Sequence, residues 1–138
     1  MIKDNLIKKM IFIFVLLLIT MPILSGCMIE SKTLTENNNG QSLNLKANEI
    51  VTIKLESNIT TGYRWNLSNE TDTSILSIIS LEYKQTDTDK KLVGAGGYET
   101  FTFKANSKGN TTIVLTYNKP WEKGVEPLKT FKINVTVE

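Results

Sequence analysis

The 138-residue chain contains one cysteine and no histidine. Without an imidazole there is no Ser-His or Cys-His pair to activate a nucleophile, and no histidine-bound zinc. The single thiol, Cys27, closes the run Leu24-Ser25-Gly26-Cys27, where it has no second cysteine to bond and no base beside it. Carboxylate-pair chemistry stays open in principle, but a chain this short leaves little room for both a core and a deep cleft. The residues left to act are those of a binding surface, and no cofactor is expected. Three clusters qualify: Asn58-Ile59-Thr60-Thr61-Gly62-Tyr63, Gly94-Ala95-Gly96-Gly97, and Lys119-Pro120-Trp121. Threonines beside a glycine offer small hydroxyls and exposed backbone amides, and a glycine run lets a partner's wall approach closely. An indole on a proline-stiffened loop has the anatomy of an interface anchor. Each cluster also has a plain structural reading. Gly62 suits any turn that needs positive φ, Thr60 and Thr61 can close that turn through their own hydroxyls, the glycines can be a connector, and Trp121 can fold back over the domain. The glycine run is not a phosphate loop, because no helix follows it.

The elements that must position these clusters read as strands. Val51, Ile53 and Leu55 alternate with polar residues, as do Trp65 and Leu67 after Tyr63, and Phe101, Phe103 and Ala105. The same period of two runs through Ile79-Leu81-Tyr83, Ile113-Leu115-Tyr117 and Phe131-Ile133-Val135-Val137, with Leu43 and Leu45 as a short opening strand. Seven short strands predict an all-β fold, an immunoglobulin-like antiparallel sandwich. Trp65 falls on its buried face and Tyr63 at the rim. If successive strands reverse, alternate connections share an end. Residues 57–62, 85–97 and 118–127 are then together, and they hold all three clusters. The opposite connections, 68–74 and 106–110, have an ordinary solvated-turn composition. Loops gathered at one end of a rigid sandwich are a binding arrangement.

The first 26 residues are of another kind. Lys3, Lys8 and Lys9 precede an apolar run from Met10 to Leu24, which fits a secretory signal better than a spanning helix of roughly 20 apolar residues; the alternative is an ordinary signal or an uncleaved anchor with an accidental cysteine. Leu24-Ser25-Gly26-Cys27 resembles the lipobox of bacterial lipoproteins, which implies cleavage before Cys27 and acylation of its thiol. Two acyl chains hold a protein stably on a membrane. The expected organisation is a signal peptide at 1–26, a lipidated Cys27 with a flexible spacer at 27–41, and a domain at 42–138, tethered to the cell membrane on its extracytoplasmic side. Cleavage removes three lysines and one aspartate, taking 16 basic and 14 acidic residues to 13 and 13. A neutral mature domain has no field to attract nucleic acid.

The three clusters, in this order and spacing, resemble the chagasin family of cysteine-protease inhibitors. That family's loops read Asn-Pro-Thr-Thr-Gly followed by Phe or Tyr, one further residue and Trp; then Gly-x-Gly-Gly; then typically Arg-Pro-Trp. The resemblance runs from about Leu43 to Val137. It implies a non-catalytic wedge that plugs the cleft of a papain-like cysteine protease, the first loop over the catalytic thiol and the other two against the walls. The contact set carried over is Asn58, Thr60, Thr61, Gly62, Tyr63, Gly94, Gly96, Gly97, Lys119, Pro120 and Trp121, acting from a monomer. Ile59 stands in place of the usual proline and loses its fixed φ, which loosens the loop. Lys119 replaces the usual arginine and keeps charge without the planar fork. The competing expectation is an extracellular adhesion or assembly module on the same sandwich, without a protease partner.

Overall fold

The computed structural model describes residues 31–86 and 94–138; the expected signal peptide at 1–26, Cys27 and the charged run from Asp87 to Lys91 lie outside them. Among the described residues eight strands form: β1 (Ser31–Leu34), β2 (Ser42–Leu45), β3 (Ile50–Ser57), β4 (Arg64–Leu67), β5 (Leu76–Gln85), β6 (Gly97–Ala105), β7 (Gly109–Asn118) and β8 (Lys129–Val137). They make two four-stranded sheets, ordered β1-β3-β6-β5 and β2-β8-β7-β4. Period-two side chains drive this directly. In β6 every odd-numbered residue from Gly97 to Ala105 is buried. Val51, Ile53, Leu55, Phe101 and Phe103 of one sheet meet Ile113, Leu115, Phe131, Ile133 and Val135 of the other in one continuous core.

The sandwich differs from expectation at both N-terminal strands. Residues 31–41, expected within a flexible spacer, instead supply β1 and a short 3₁₀ turn at Glu36–Asn38, so the ordered domain starts upstream of residue 42. The physical reason is one side chain: Leu34 is only 5% exposed and packs into the core, while the other three residues of β1 are exposed. The Glu36 carboxylate also accepts the backbone N–H of Glu56. Nor are the sheets wholly antiparallel. β1 pairs parallel with β3, and β2 parallel with β8, because the chain crosses between sheets here instead of folding back in a hairpin.

The fourth expected strand is longer than its alternation suggested and breaks register between Ile78 and Ser80. The extra residue takes Ile79 out of the pattern and leaves it 52% exposed, as at a β-bulge. β5 is an outer strand, and its Leu81, though paired with the buried Phe101, is also exposed.

Chain direction then places the loops. Ser57 pairs with Gly97, which also pairs with Gln85. In the other sheet Arg64 pairs with Asn118, and Tyr117 with Lys129. The connections after β3, β5 and β7 therefore leave from one end of the sandwich.

Leu34 provides a test of the upstream boundary. Leu34→Ala should lower the unfolding free energy by about 2 kcal/mol, the lower range for a buried leucine truncated beside an edge, as measured by urea denaturation. A spacer residue would leave the transition where it is.

Candidate functional site

The first loop is organised by Asn58. Its backbone N–H donates to the Tyr117 hydroxyl at 2.9 Å, and its side-chain amide donates to the Gly94 carbonyl of the second loop at 3.1 Å. Its Oδ1 accepts from the Thr60 backbone N–H and hydroxyl, at 3.2 and 2.6 Å. Its carbonyl accepts from the Thr61 backbone N–H and hydroxyl, at 3.2 and 2.6 Å. Residues Ile59–Thr61 thus form one 3₁₀ turn capped by Asn58, the local bonding that Asn favours at such a position. The two threonine hydroxyls close the turn, yet both residues remain exposed at its tip. The loosening expected from Ile59 is opposed by this network, which restrains the backbone that proline would have restrained through φ.

Gly62 ends the turn at φ +84°, and its amide donates to the Ile59 carbonyl. A Cβ built there would lie 2.6 Å from Cη2 of Trp121. The glycine is required twice, for its conformation and for the indole that lies over it. Trp121 is still 66% exposed, so it leans on the first loop without being buried by it. The third loop is drawn together by a turn from Glu122 N–H to the Lys119 carbonyl and closed at its base by Leu128 N–H to the Tyr117 carbonyl. Lys119 binds the Glu122 carboxylate at 3.1 Å and sits 5.1 Å from the Tyr63 ring centre. The hydrogen bond to Glu122, reinforced by its charge, holds the Lys119 pKa above the ordinary lysine value. Pro120 is exposed beside Trp121.

Beneath these loops stands an aromatic column. Tyr63, half-buried, stacks on Tyr117 at 5.4 Å, and Tyr117 packs against Trp65 at 5.1 Å. Trp65 is 3% exposed, in the core as its face predicted. Its backbone N–H donates to the buried Glu99 carboxylate and its indole N–H to the Glu56 carbonyl, both at 2.9 Å. The second loop is divided in role. Gly94 and Gly96 are exposed, whereas Gly97 is buried as the first residue of β6. A Cβ on Gly97 would come within 2.5 Å of the Lys84 carbonyl and 2.7 Å of the Tyr83 hydroxyl, so this glycine serves the packing of β5 on β6. A cavity of about 340 Å³ opens at the foot of the loops, between Ser57, Thr86 and Gly96 on one side and Tyr117 and Lys129 on the other.

The three clusters named from the sequence are thus one assembly, with Asn58 tying the first loop to the second and Gly62 seating the indole of the third. Sequence reasoning missed four contributors. Tyr117 supports the first loop through its hydroxyl, and its signal was the inward position directly before the third loop. Glu99 lies in register with Phe101 and Phe103, the signal for an inward carboxylate. Val125 and Leu128, 58% and 63% exposed, extend the apolar surface of the third loop beyond Trp121, where no periodicity could mark them.

The chain is similar to several known proteins. A family model described as the chagasin family of peptidase inhibitors matches residues 44–135. Amoebiasin-2 of Entamoeba histolytica is 36% identical over 104 residues, covering 75% of this chain and 83% of that protein. Chagasin of Trypanosoma cruzi is 38% identical over 92 residues, covering 66% of this chain and 84% of that one. The crystal structure of a cysteine protease inhibitor from Entamoeba histolytica aligns with a TM-score of 0.71 and 31% identity, over 78% of this chain and 96% of that chain.

Gly62→Ala should expose the double constraint. A non-glycine residue in the left-handed region costs about 1–2 kcal/mol, so the melting temperature should fall, and displacement of the indole should shift the emission of Trp121. An unchanged emission spectrum would show that the indole does not rest on this glycine.

Proposed function

Because this chain belongs to the chagasin family of peptidase inhibitors, we infer that it blocks papain-like cysteine proteases by seating the three loops of one sandwich end in the active-site cleft. It is an inhibitor and not an enzyme. The observation that carries the mechanism is the joining of the loops: Asn58 to Gly94, and Trp121 over Gly62. A surface held in its binding shape before contact loses less freedom on association. Thr60 and Thr61 stand at the tip of the central loop, with Gly94 and Gly96 on one side and Trp121 on the other. Val125 and Leu128 add apolar area to the third loop, which suits the apolar centre of an interface of about 800 Å² per partner. All three loops come from one chain, so a single copy is sufficient. Family membership leaves the adhesion reading without support.

The central turn also explains why the inhibitor would survive its target. A scissile peptide must be presented extended and aligned to a thiolate at about 3–3.5 Å. Residues 59–61 are instead a 3₁₀ turn followed by a left-handed glycine, and the Asn58 bonds oppose straightening. Inhibition is then occlusion. The second part of the proposal concerns place: the lipobox-like Leu24-Ser25-Gly26-Cys27 supports a lipid anchor on Cys27 that holds the domain on the outer face of the cell membrane.

Trp121→Ala should weaken inhibition of a papain-like protease by about 30-fold to 1,000-fold, the loss of an interface anchor worth about 2–4 kcal/mol, while the thermal transition stays in place. A protein that kept its inhibition constant and lost stability would make Trp121 a packing residue. After long incubation with active enzyme, mass spectrometry should find the chain from Ser57 to Tyr63 intact. Stoichiometric cleavage there, with inhibition fading in step, would make the protein a slow substrate. Cys27→Ser should abolish labelling by radioactive fatty acid and move the protein from the detergent phase to the aqueous phase.

A further inference from the structure

The direction of β1 determines where the chain enters the sandwich. Parallel pairing sets Ser31 beside Ile50 and Leu34 beside Ile53. Ser31 is therefore level with the start of β3, while the first loop leaves from Ser57 at the other end of that strand. Seven steps of strand separate the two levels by roughly 23 Å. Cys27 stands four residues before Ser31, and even a fully extended link of that length spans no more than about 14 Å. The thiol cannot reach the level of the loops by any path. Near Ser31 lie instead the turns at 46–49 and 106–108, and the connection from 68 to 75. Their residues are Ser, Thr, Asn, Lys, Glu and Asp apart from Ala47 and Ile75, and Ile75 packs against the core, a surface compatible with a hydrated headgroup region. The opposite end exposes Trp121, Val125 and Leu128, side chains that bind a lipid interface readily when held against it.

From this geometry we propose that the turn end of the sandwich faces the bilayer and the loop end points away from it. The anchored inhibitor then captures proteases arriving from the surroundings, and not enzymes lying flush in the same membrane. The proposal rests on the lipid-anchor reading above. Its logic is clearance: a protease closing around the three loops needs space on every side of them, and a short link at the far end leaves that space open while keeping the apolar loop side chains out of lipid.

The test uses the lipidated full-length protein in phosphatidylcholine vesicles containing a rhodamine-labelled lipid. Acylation occupies Cys27, so a dye attaches only at an introduced thiol: Lys108→Cys in a turn, or Lys123→Cys in the third loop. Energy transfer to the lipid should be strong from position 108 and weak from position 123. The reverse order, or equal transfer from a domain lying flat, would overturn the orientation. Lengthening the link by ten Gly-Ser residues before Ser31 should leave inhibition of a soluble papain-like protease unchanged. A gain of about tenfold or more would mean that the short link obstructs the loops, and would overturn the proposal. If the unlabelled full-length protein fails to partition into vesicles, the anchor reading itself falls and takes the orientation with it. Inhibition measured in solution separates that failure from any failure of the inhibitor reading.

Discussion

At the loop end Trp65 ties the two sheets together. Trp65 belongs to the short outer strand β4, yet its backbone N–H and its indole N–H both bond to the opposite sheet, to the Glu99 carboxylate and the Glu56 carbonyl. Removing the donor of a buried hydrogen bond leaves its acceptor unsatisfied in the interior, which costs more than the bond itself contributes. Because Tyr117 packs on the Trp65 ring and its hydroxyl accepts from Asn58, this clamp is transmitted to the first loop. The loop that would enter a protease cleft is thus held by the core through two ring contacts and one hydrogen bond.

That chain of contacts changes the meaning of individual site residues. The polar groups of Asn58 bond within the protein, so this side chain shapes the surface that its neighbours present. Gly97, grouped with Gly94 and Gly96 by sequence, lies under Tyr83 in the sheet. Lys119 faces Glu122 and Tyr63, which gives its charge a fixed direction without the fork of an arginine. What remains to meet a partner is a small set of exposed groups on a rigid base, the condition under which shape can substitute for chemical bonding.

Much of this was legible beforehand because period two reports which face a side chain occupies. It separated Trp65 from Trp121, and strand reversal alone gathered the three loops at one end. The period says nothing about which strand is the neighbour, so the parallel placements of β1 and β2 beside β3 and β8 were hidden. β1 was doubly hidden, since a single buried Leu34 in a polar segment makes no alternation. The inserted residue near Ile79 shifted the parity of β5, and side chains expected to share one face separated. Glu99 sat in the pattern, but an acidic residue at an inward position reads as an exception until its donor, distant in sequence, is seen. Val125 and Leu128 lie in a loop, where exposure follows from the path of the chain.

The register break in β5 has a consequence for how such domains behave in company. Ten residues of outer strand, with Ile79 and Leu81 exposed, would offer a foreign backbone a long template for sheet extension, the usual start of aggregation. The bulge divides that template into two short runs whose free N–H and C=O groups are out of phase, so no single straight strand can pair along the whole edge. Copies crowded side by side on one surface would meet at an edge that resists zippering into fibres.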